Sequence, residues 1–265
     1  MFRGRKVTGI LLAGGSGSRF GGSVNKVYQT LDGRPVLYYS LAVMDKCPVI
    51  DDIVIVCRMQ EEEIPRAIVR DYGTEKPVRF VHGGSTRQES VHNALESGCG
   101  QMVVIHDGAR PFIQDGHIIR CLEALDITAV DDGDGREGGF NGSGDKTGSV
   151  QGSAVAVRAK DTIKLTDANG LVEETVPRER AWQVQTPQCF LTAPLMAAHE
   201  RFRDVQGITD DCMLIEKAGG RIRLTEGDYR NIKITTPEDM ILAESILKER
   251  VLQSGAGTRK GAGIG

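Results

Sequence analysis

The sequence predicts a three-layer α/β fold, a mainly parallel twisted sheet with helices on both faces and a projecting β-arm. Three observations predict it. Short apolar runs of strand length recur along the chain, amphipathic stretches of helical period separate them, and 265 residues at 40% hydrophobic content can bury a core without disulfides or metals.

Taken in order, the first strand is the apolar run 7–12, and a Gly-Arg-Pro turn then leads into a helix over 36–46. Runs at 53–57, 78–81 and 102–106 read as further strands, with helical periodicity near 61–72, 87–97 and 114–125 between and after them. Strands at 154–158 and 221–225 and helices at 193–202, 210–218 and 237–250 complete the alternation. Polar residues around the Asn169-Gly170 pair predict a hairpin within an arm of about 160–180. The stretch 131–153, rich in Gly, Asp and Ser, buries too little apolar area to offset its ordering entropy and is expected to be a surface loop. Residues 1–250 are expected to form a single domain, and 251–265 a flexible tail. In such a sheet, ligands sit at the carboxyl ends of the strands.

A net charge of −3 carries no sign of the clustered positive surface that nucleic acid or an anionic membrane would favour, so neither is an expected partner. The six cysteines are scattered, with no CxxC pair and no histidine at ligand spacing, and read as reduced thiols rather than a zinc site or disulfide framework. No apolar run approaches the roughly 20 residues of a membrane span, and the start MFRGRKVTGILLAGG is too short in apolar length for a signal peptide. A cytoplasmic location is expected.

Directly after the first strand comes Ala13-Gly14-Gly15-Ser16-Gly17-Ser18-Arg19, with Lys26 beyond it. Glycines let backbone N–H groups approach an anion closely, and two cations can neutralise a triphosphate from opposite sides, so this segment reads as a nucleotide-phosphate cradle. A dinucleotide fingerprint starting at Gly15 and Gly17 meets Phe20 where its third glycine belongs, and the next strand ends in Arg58 without the ribose-binding acid. No Gly-Lys-Ser/Thr triplet supports a Walker loop. A glycine-rich turn without a ligand is the remaining alternative.

Seven motifs carry a resemblance over about residues 7–247: LLAGGSGSRF with the following NK, GGSTRQESV at 83–91, HDGARPF at 106–112, KDTIK at 160–164, WQVQTPQCF at 182–190, GITDD at 207–211 and NIKITTPEDM at 231–240. In this order they resemble the 2-C-methyl-D-erythritol 4-phosphate cytidylyltransferases, a nucleotidyltransferase family with a Rossmann-like fold. The resemblance implies CTP as donor, a polyol phosphate as acceptor, Mg²⁺ as cofactor and a homodimer.

On that resemblance Gly84, Arg87 and Ser90, at a strand-to-helix junction, are expected to read the cytosine, although Ser90 could equally serve only the first turns of the helix. Asp107, at a strand end, suits Mg²⁺, which takes few protein ligands. Arg110 either holds the acceptor phosphate with Asp107 or braces Asp107. His106 reads as a packed, hydrogen-bonded histidine rather than a base. Gly108 stands where the family commonly has alanine, an exchange expected to be tolerated. The arm is implied to cross to a second subunit, where Thr162 and Arg178 would help bind the sugar phosphate. Thr209 and Lys233 would complete the acceptor pocket, a surface lysine being the bland alternative for Lys233. Catalysis would rest on Lys26, Lys233 and Arg19, which stabilise charge as the acceptor phosphate attacks the α-phosphorus; a phosphate with a second pKa near 6 needs no general base.

Two departures stand out. Asn25 and Val27 flank Lys26 where the family usually carries proline and glutamine, and losing the ring's restriction is expected to cost loop preorganisation of about 0.4–1 kcal/mol. The Gly-rich stretch 131–153 is longer than the family's usual connection. Three rivals remain: a ribitol 5-phosphate cytidylyltransferase, a non-catalytic nucleotide-binding module and, more weakly, a dinucleotide-binding oxidoreductase.

Overall fold

The computed structural model describes residues 1–15, 25–125 and 149–257. Strand β1 (Val7–Leu12) leads to a short hairpin of β2 (Thr30–Leu31) and β3 (Arg34–Pro35), then to helix α1 (Val36–Lys46). The chain alternates through β4 (Asp52–Cys57), α2 (Glu63–Tyr72), β5 (Val78–His82), α3 (Arg87–Glu96), β6 (Met102–Asp107) and α4 (Asp115–Glu123). Beyond the Gly-rich stretch come β7 (Val150–Arg158), the arm strands β8 (Lys164–Thr166) and β9 (Val172–Thr175), β10 (Trp182–Leu191), α5 (Thr192–Arg201), α6 (Asp211–Lys217), β11 (Arg221–Glu226) and α7 (Pro237–Gly257).

Seven strands form the main sheet in the order β11-β7-β10-β6-β1-β4-β5. Pairing is parallel from β6 through β1 and β4 to β5 and between β11 and β7, whereas β10 runs antiparallel to both its neighbours. This is the α/β fold that the alternation predicts. The alternation read from sequence does not include β10, because Thr186-Pro187-Gln188 breaks the period of two. The ladder to β7 shifts register between Val184 and Gln188, so the strand absorbs the irregularity.

Both sheet faces are covered, so the inner strands are apolar at consecutive rather than alternate positions. Ile53 and Ile55 of β4 pack with α1, α2 and α4 residues such as Leu41, Ile68 and Cys121. Val54 and Val56 face the other way, against Val91 of α3, Leu195 of α5 and Ile215 of α6. Helix α7 packs through Ala243 and Ile246 onto Leu31, Val36, Phe112 and Ile234. The end of the expected loop, Val150 onwards, is the start of β7, and α7 extends into the expected tail as far as residue 257. The rest of that loop, 131–148, and of the tail, 258–265, lies outside the described residues. Among the described residues no helix is long and apolar enough to cross a membrane.

Candidate active site

The parallel ladder places the carboxyl ends of β1, β4 and β6 side by side, and a cavity of about 510 Å³ opens there. Gly14, Gly15 and Lys26 line it on one side, Gly83, Gly84, Arg87 and Ser90 on another, and Asp107 and Lys233 close it. The two lysines, remote in sequence, therefore face one space. Ala13 is buried beside it, its N–H donating to the Val56 carbonyl at 2.7 Å as an extension of the β1–β4 pairing. Gly17 and Arg19 lie outside the described residues.

The glycines divide into two kinds. A Cβ built on Gly15 meets no described atom within 4 Å, and one on Gly14 makes only ordinary contacts at 3.7 Å or more. Packing against the described residues does not require glycine at these positions; close approach of a ligand to the backbone would. On Gly84, by contrast, a Cβ would fall 2.3 Å from the Cβ of Glu89, and on Gly108 it would fall 2.9 Å from the Leu12 carbonyl oxygen and 2.8 Å from Leu37 Cδ1. Glycine is accommodated at 108, and returning alanine there would require the Leu12 backbone or the Leu37 side chain to shift.

Asp107 is the electrostatic centre. Lys233 Nζ lies 2.7 Å from its Oδ2, Arg110 Nε 3.8 Å from the same oxygen, and Arg87 Nε 3.9 Å from Oδ1. Burial opposes ionisation here, but the charges of Lys233, Arg87 and Arg110 outweigh it and hold the carboxyl well below the usual carboxylate range. Arg87 is fixed from behind by Asp211, whose Oδ2 is 2.5 Å from Nη1, and Asp211 in turn holds His199 Nε2 at 3.1 Å. Lys233 is thus ion-paired although its side chain is 40% exposed.

The geometry of Arg110 is compatible with both of its alternatives: its side chain is 12% exposed, Nη1 donates to the Asn231 carbonyl at 2.8 Å and Nε lies 3.8 Å from Asp107, while the residue also lines the cavity that holds Thr209. Ser90 lines the cavity, and its hydroxyl donates to the Thr86 carbonyl at 2.8 Å and accepts from the Gly84 N–H at 3.1 Å, which shapes the loop there. His106 is fully buried, with Nε2 donating to the Arg110 carbonyl at 3.0 Å and Nδ1 2.9 Å from the Thr186 hydroxyl. Burial pushes its pKa down to about 4, the behaviour of a packed neutral imidazole.

A second cavity of about 270 Å³ adjoins the first, sharing Arg87, Asp107 and Lys233 and adding Arg110, Thr209 and Gln185. Thr209 is thus brought to Lys233. Thr162 and Arg178 are not: they line neither cavity and instead face each other on the exposed arm, Nη2 to Oγ1 at 3.4 Å. Three residues without an assigned role from sequence prove structural to the site. Asp211 anchors Arg87, Thr186 links His106 to the Asp107 N–H at 3.1 Å, and the fully buried Asn231 ties the Lys233 segment to the Thr186 carbonyl at 2.9 Å. None had a local signal: the Arg87 that Asp211 anchors lies 124 residues away in sequence.

Whether Mg²⁺ fits turns on Asp107, because no three His, Cys, Asp or Glu side chains among the described residues gather as a ligand group. Lys233 occupies Oδ2, and Arg87 Nε stands beyond hydrogen-bond reach of Oδ1. One carboxylate oxygen fits an ion that usually takes one or two carboxylates and completes its shell with phosphate oxygens and water.

Comparison with known proteins gives the site its context. The IspD family model, described as 2-C-methyl-D-erythritol 4-phosphate cytidylyltransferase, matches residues 7–131 and 144–249. The protein of that description from Geotalea uraniireducens is 42% identical over 252 residues, covering 92% of this chain and 97% of the relative. One from Alkaliphilus metalliredigens is 39% identical over 251 residues, covering 92% and 94%. The crystal structure of 4-diphosphocytidyl-2C-methyl-D-erythritol synthase from Anaerococcus prevotii superposes with a TM-score of 0.76 at 28% identity, over 92% of this chain and 96% of that one. With the sheet order, the strand-end cavity and these matches in agreement, the chain belongs to the 2-C-methyl-D-erythritol 4-phosphate cytidylyltransferase family.

Proposed function

We propose that this enzyme transfers the cytidylyl group of CTP to 2-C-methyl-D-erythritol 4-phosphate in isoprenoid precursor biosynthesis. An acceptor phosphate oxygen forms a bond to the α-phosphorus while the bond to the bridging oxygen of the β-phosphate breaks, giving 4-diphosphocytidyl-2-C-methyl-D-erythritol and pyrophosphate. The observation that carries the reading is the convergence of Lys26 and Lys233 on the cavity bounded by the Gly14-Gly15 strand end.

The chemistry asked of the chain is to bring two anions together and to stabilise the negative charge that grows on the α-phosphate oxygens. Gly14 and Gly15 offer backbone N–H groups to the triphosphate, and Gly83 and Gly84 with the start of α3 offer an edge for the cytosine. Lys26 and Arg19 neutralise the triphosphate. Lys233 stands between the two cavities, where an attacking phosphate would meet the α-phosphorus. Arg87 and Arg110 hold Asp107 ionised. Asp107 would hold Mg²⁺, which supplies Lewis-acid neutralisation of phosphate charge when bound. Thr209, in the second cavity, and Thr162 and Arg178, on the arm, serve the acceptor. Because the arm residues line neither cavity of their own chain, they would act in the site of a second copy, making the working form a homodimer. The reaction uses diffusible substrates and fits a cytoplasmic enzyme.

The test is pyrophosphate release by purified protein with CTP and Mg²⁺, with methylerythritol phosphate and ribitol 5-phosphate offered in turn. The expected result is at least a hundredfold higher kcat/KM for methylerythritol phosphate, a discrimination of about 2.7 kcal/mol. Preference for ribitol phosphate would move the assignment to that acceptor. CTP binding without turnover on either would leave a binding module.

A further inference from the structure

Asn25 sits at the neck of the Gly-rich segment, and its contacts are those of a fastening. It is 4% exposed. Its Nδ2 donates to the Ala13 carbonyl at 2.7 Å and to Glu61 Oε2 at 3.3 Å, while Oδ1 accepts from the Val27 N–H at 3.4 Å. The other oxygen of Glu61 lies 3.4 Å from Arg58 Nη1, and Arg58 Nε donates to the Gly14 carbonyl at 3.1 Å. Two successive carbonyls at the end of β1 are therefore each gripped by a side chain, and one carboxylate joins the two side chains.

The consequence follows from peptide geometry. In a planar trans peptide the carbonyl and the next N–H lie on opposite edges, so fixing the carbonyls of Ala13 and Gly14 also fixes the directions of the Gly14 and Gly15 N–H groups. Glycines are otherwise the residues most free to turn those groups elsewhere. The same side chain caps the single 3₁₀ turn of Lys26–Tyr28, so the position of Lys26 is set by the residue that sets the glycines. Asn25 also ties together two segments 12 residues apart, closing the neck before any ligand arrives.

We propose that Asn25, Glu61 and Arg58 form a clasp that presets the strand end for a nucleoside triphosphate, with Asn25 as its positioning residue. The clasp rests on the reading of the cavity as a CTP site. It raises the fraction of molecules whose backbone is ready to bind, and a bound triphosphate can restore that arrangement when the clasp is broken. Its loss therefore weakens binding and spares turnover.

The test is calorimetric titration of CTP with Mg²⁺, without acceptor, into wild type and variants, followed by steady-state kinetics. Asn25→Ala removes all three side-chain hydrogen bonds at the neck and is expected to raise the Kd and KM for CTP about tenfold, with kcat within about twofold of wild type. Asn25→Asp, which sets a carboxylate against the Ala13 carbonyl and Glu61, should be weaker still. Asn25→Pro is compatible with the backbone, at φ −58°, and should recover most of the affinity by restricting the neck covalently. Unchanged CTP affinity in Asn25→Ala, with or without a lower melting temperature, would overturn the clasp and leave a packing role. A fall in kcat at unchanged affinity would overturn it too. A wild type that binds no CTP would remove the functional reading itself, and the clasp with it.

Discussion

The strand-end site and the β8–β9 arm both carry polar residues proposed to touch substrate, yet they hold them in opposite ways. In the site, charged or polar groups hold one another: Asp107 with Lys233, Arg87 with Asp211, Arg110 with the Asn231 carbonyl. On the arm, Thr162 and Arg178 meet each other at 3.4 Å on an exposed surface. Leu165, Leu171 and Val172 beside them are 49%, 69% and 58% exposed. Apolar groups of that size left uncovered are what a surface that binds another molecule presents. One region thus has its geometry set by contacts within the chain, whereas the role proposed for the other depends on a second copy.

The sharpest way to break this contrast is to remove charge from the preset region. Lys26→Ala and Lys233→Ala are each expected to lower kcat about 10²–10³-fold, the scale of losing one preorganised group aimed at developing charge, with a much smaller rise in the KM for CTP. Lys233→Ala leaves Asp107 still facing Arg87 and Arg110, so the loss should be catalytic rather than a collapse of the site. Stopped-flow measurement of pyrophosphate release would check both. A kcat within threefold of wild type for either lysine would remove it from the chemistry.

How much of this was legible in the sequence follows the same division. The parallel strands and their helices were readable because periods of 2 and 3.6 are local properties, and the glycines at 14 and 15 stood out because they follow a strand directly. Lys233 and Asp107 were placed by family resemblance, since nothing near residue 233 in sequence shows that its ammonium would reach a carboxylate on β6. Asn231, Thr186 and Asp211 were passed over because their work lies in long-range hydrogen bonds and ion pairs, and no local pattern encodes a partner 45 residues away, as Asn231 finds in Thr186. Asn25 reads locally as a lost proline, and only the fold reveals what its side chain grips.

A smaller effect tests how firmly the core beneath the site is fixed. His106 is neutral in the folded protein down to pH about 4, because burial lowers its pKa, while the unfolded chain protonates near 6.5. Between those values the unfolded state binds the extra proton. Stability should therefore fall as the pH drops through this window, by up to about 1.4 kcal/mol per pH unit. Burial lowers the pKa of His117 as well, adding a share of the same sign. The carboxylates Asp107 and Asp211, held below their usual range, add their losses only at lower pH. Urea melts from pH 7 to 4.5 read the slope, and His106→Gln should flatten most of it. An unchanged slope in that variant would assign the proton uptake elsewhere.

The smallest effect on the fold is expected on the arm, and it separates the two regions most cleanly. Arg178→Ala removes an exposed side chain and should change stability by less than about 0.5 kcal/mol. If the arm serves the site of a second copy, the same variant should raise the KM for the acceptor about tenfold or more, as expected for a lost charged hydrogen bond, and leave the KM for CTP unchanged. Mixing then gives the decisive measurement. Arg178→Ala protein has a sound strand-end site and a poor arm, and Lys26→Ala protein the reverse. After exchange of subunits, each mixed dimer joins the sound site of one chain to the sound arm of the other. At subsaturating acceptor, equal mixing should restore roughly a quarter of wild-type activity, since half the dimers are mixed and each has one intact site. If each arm served its own chain, every site would keep one defect, and mixing would give no more than the average of the two variants.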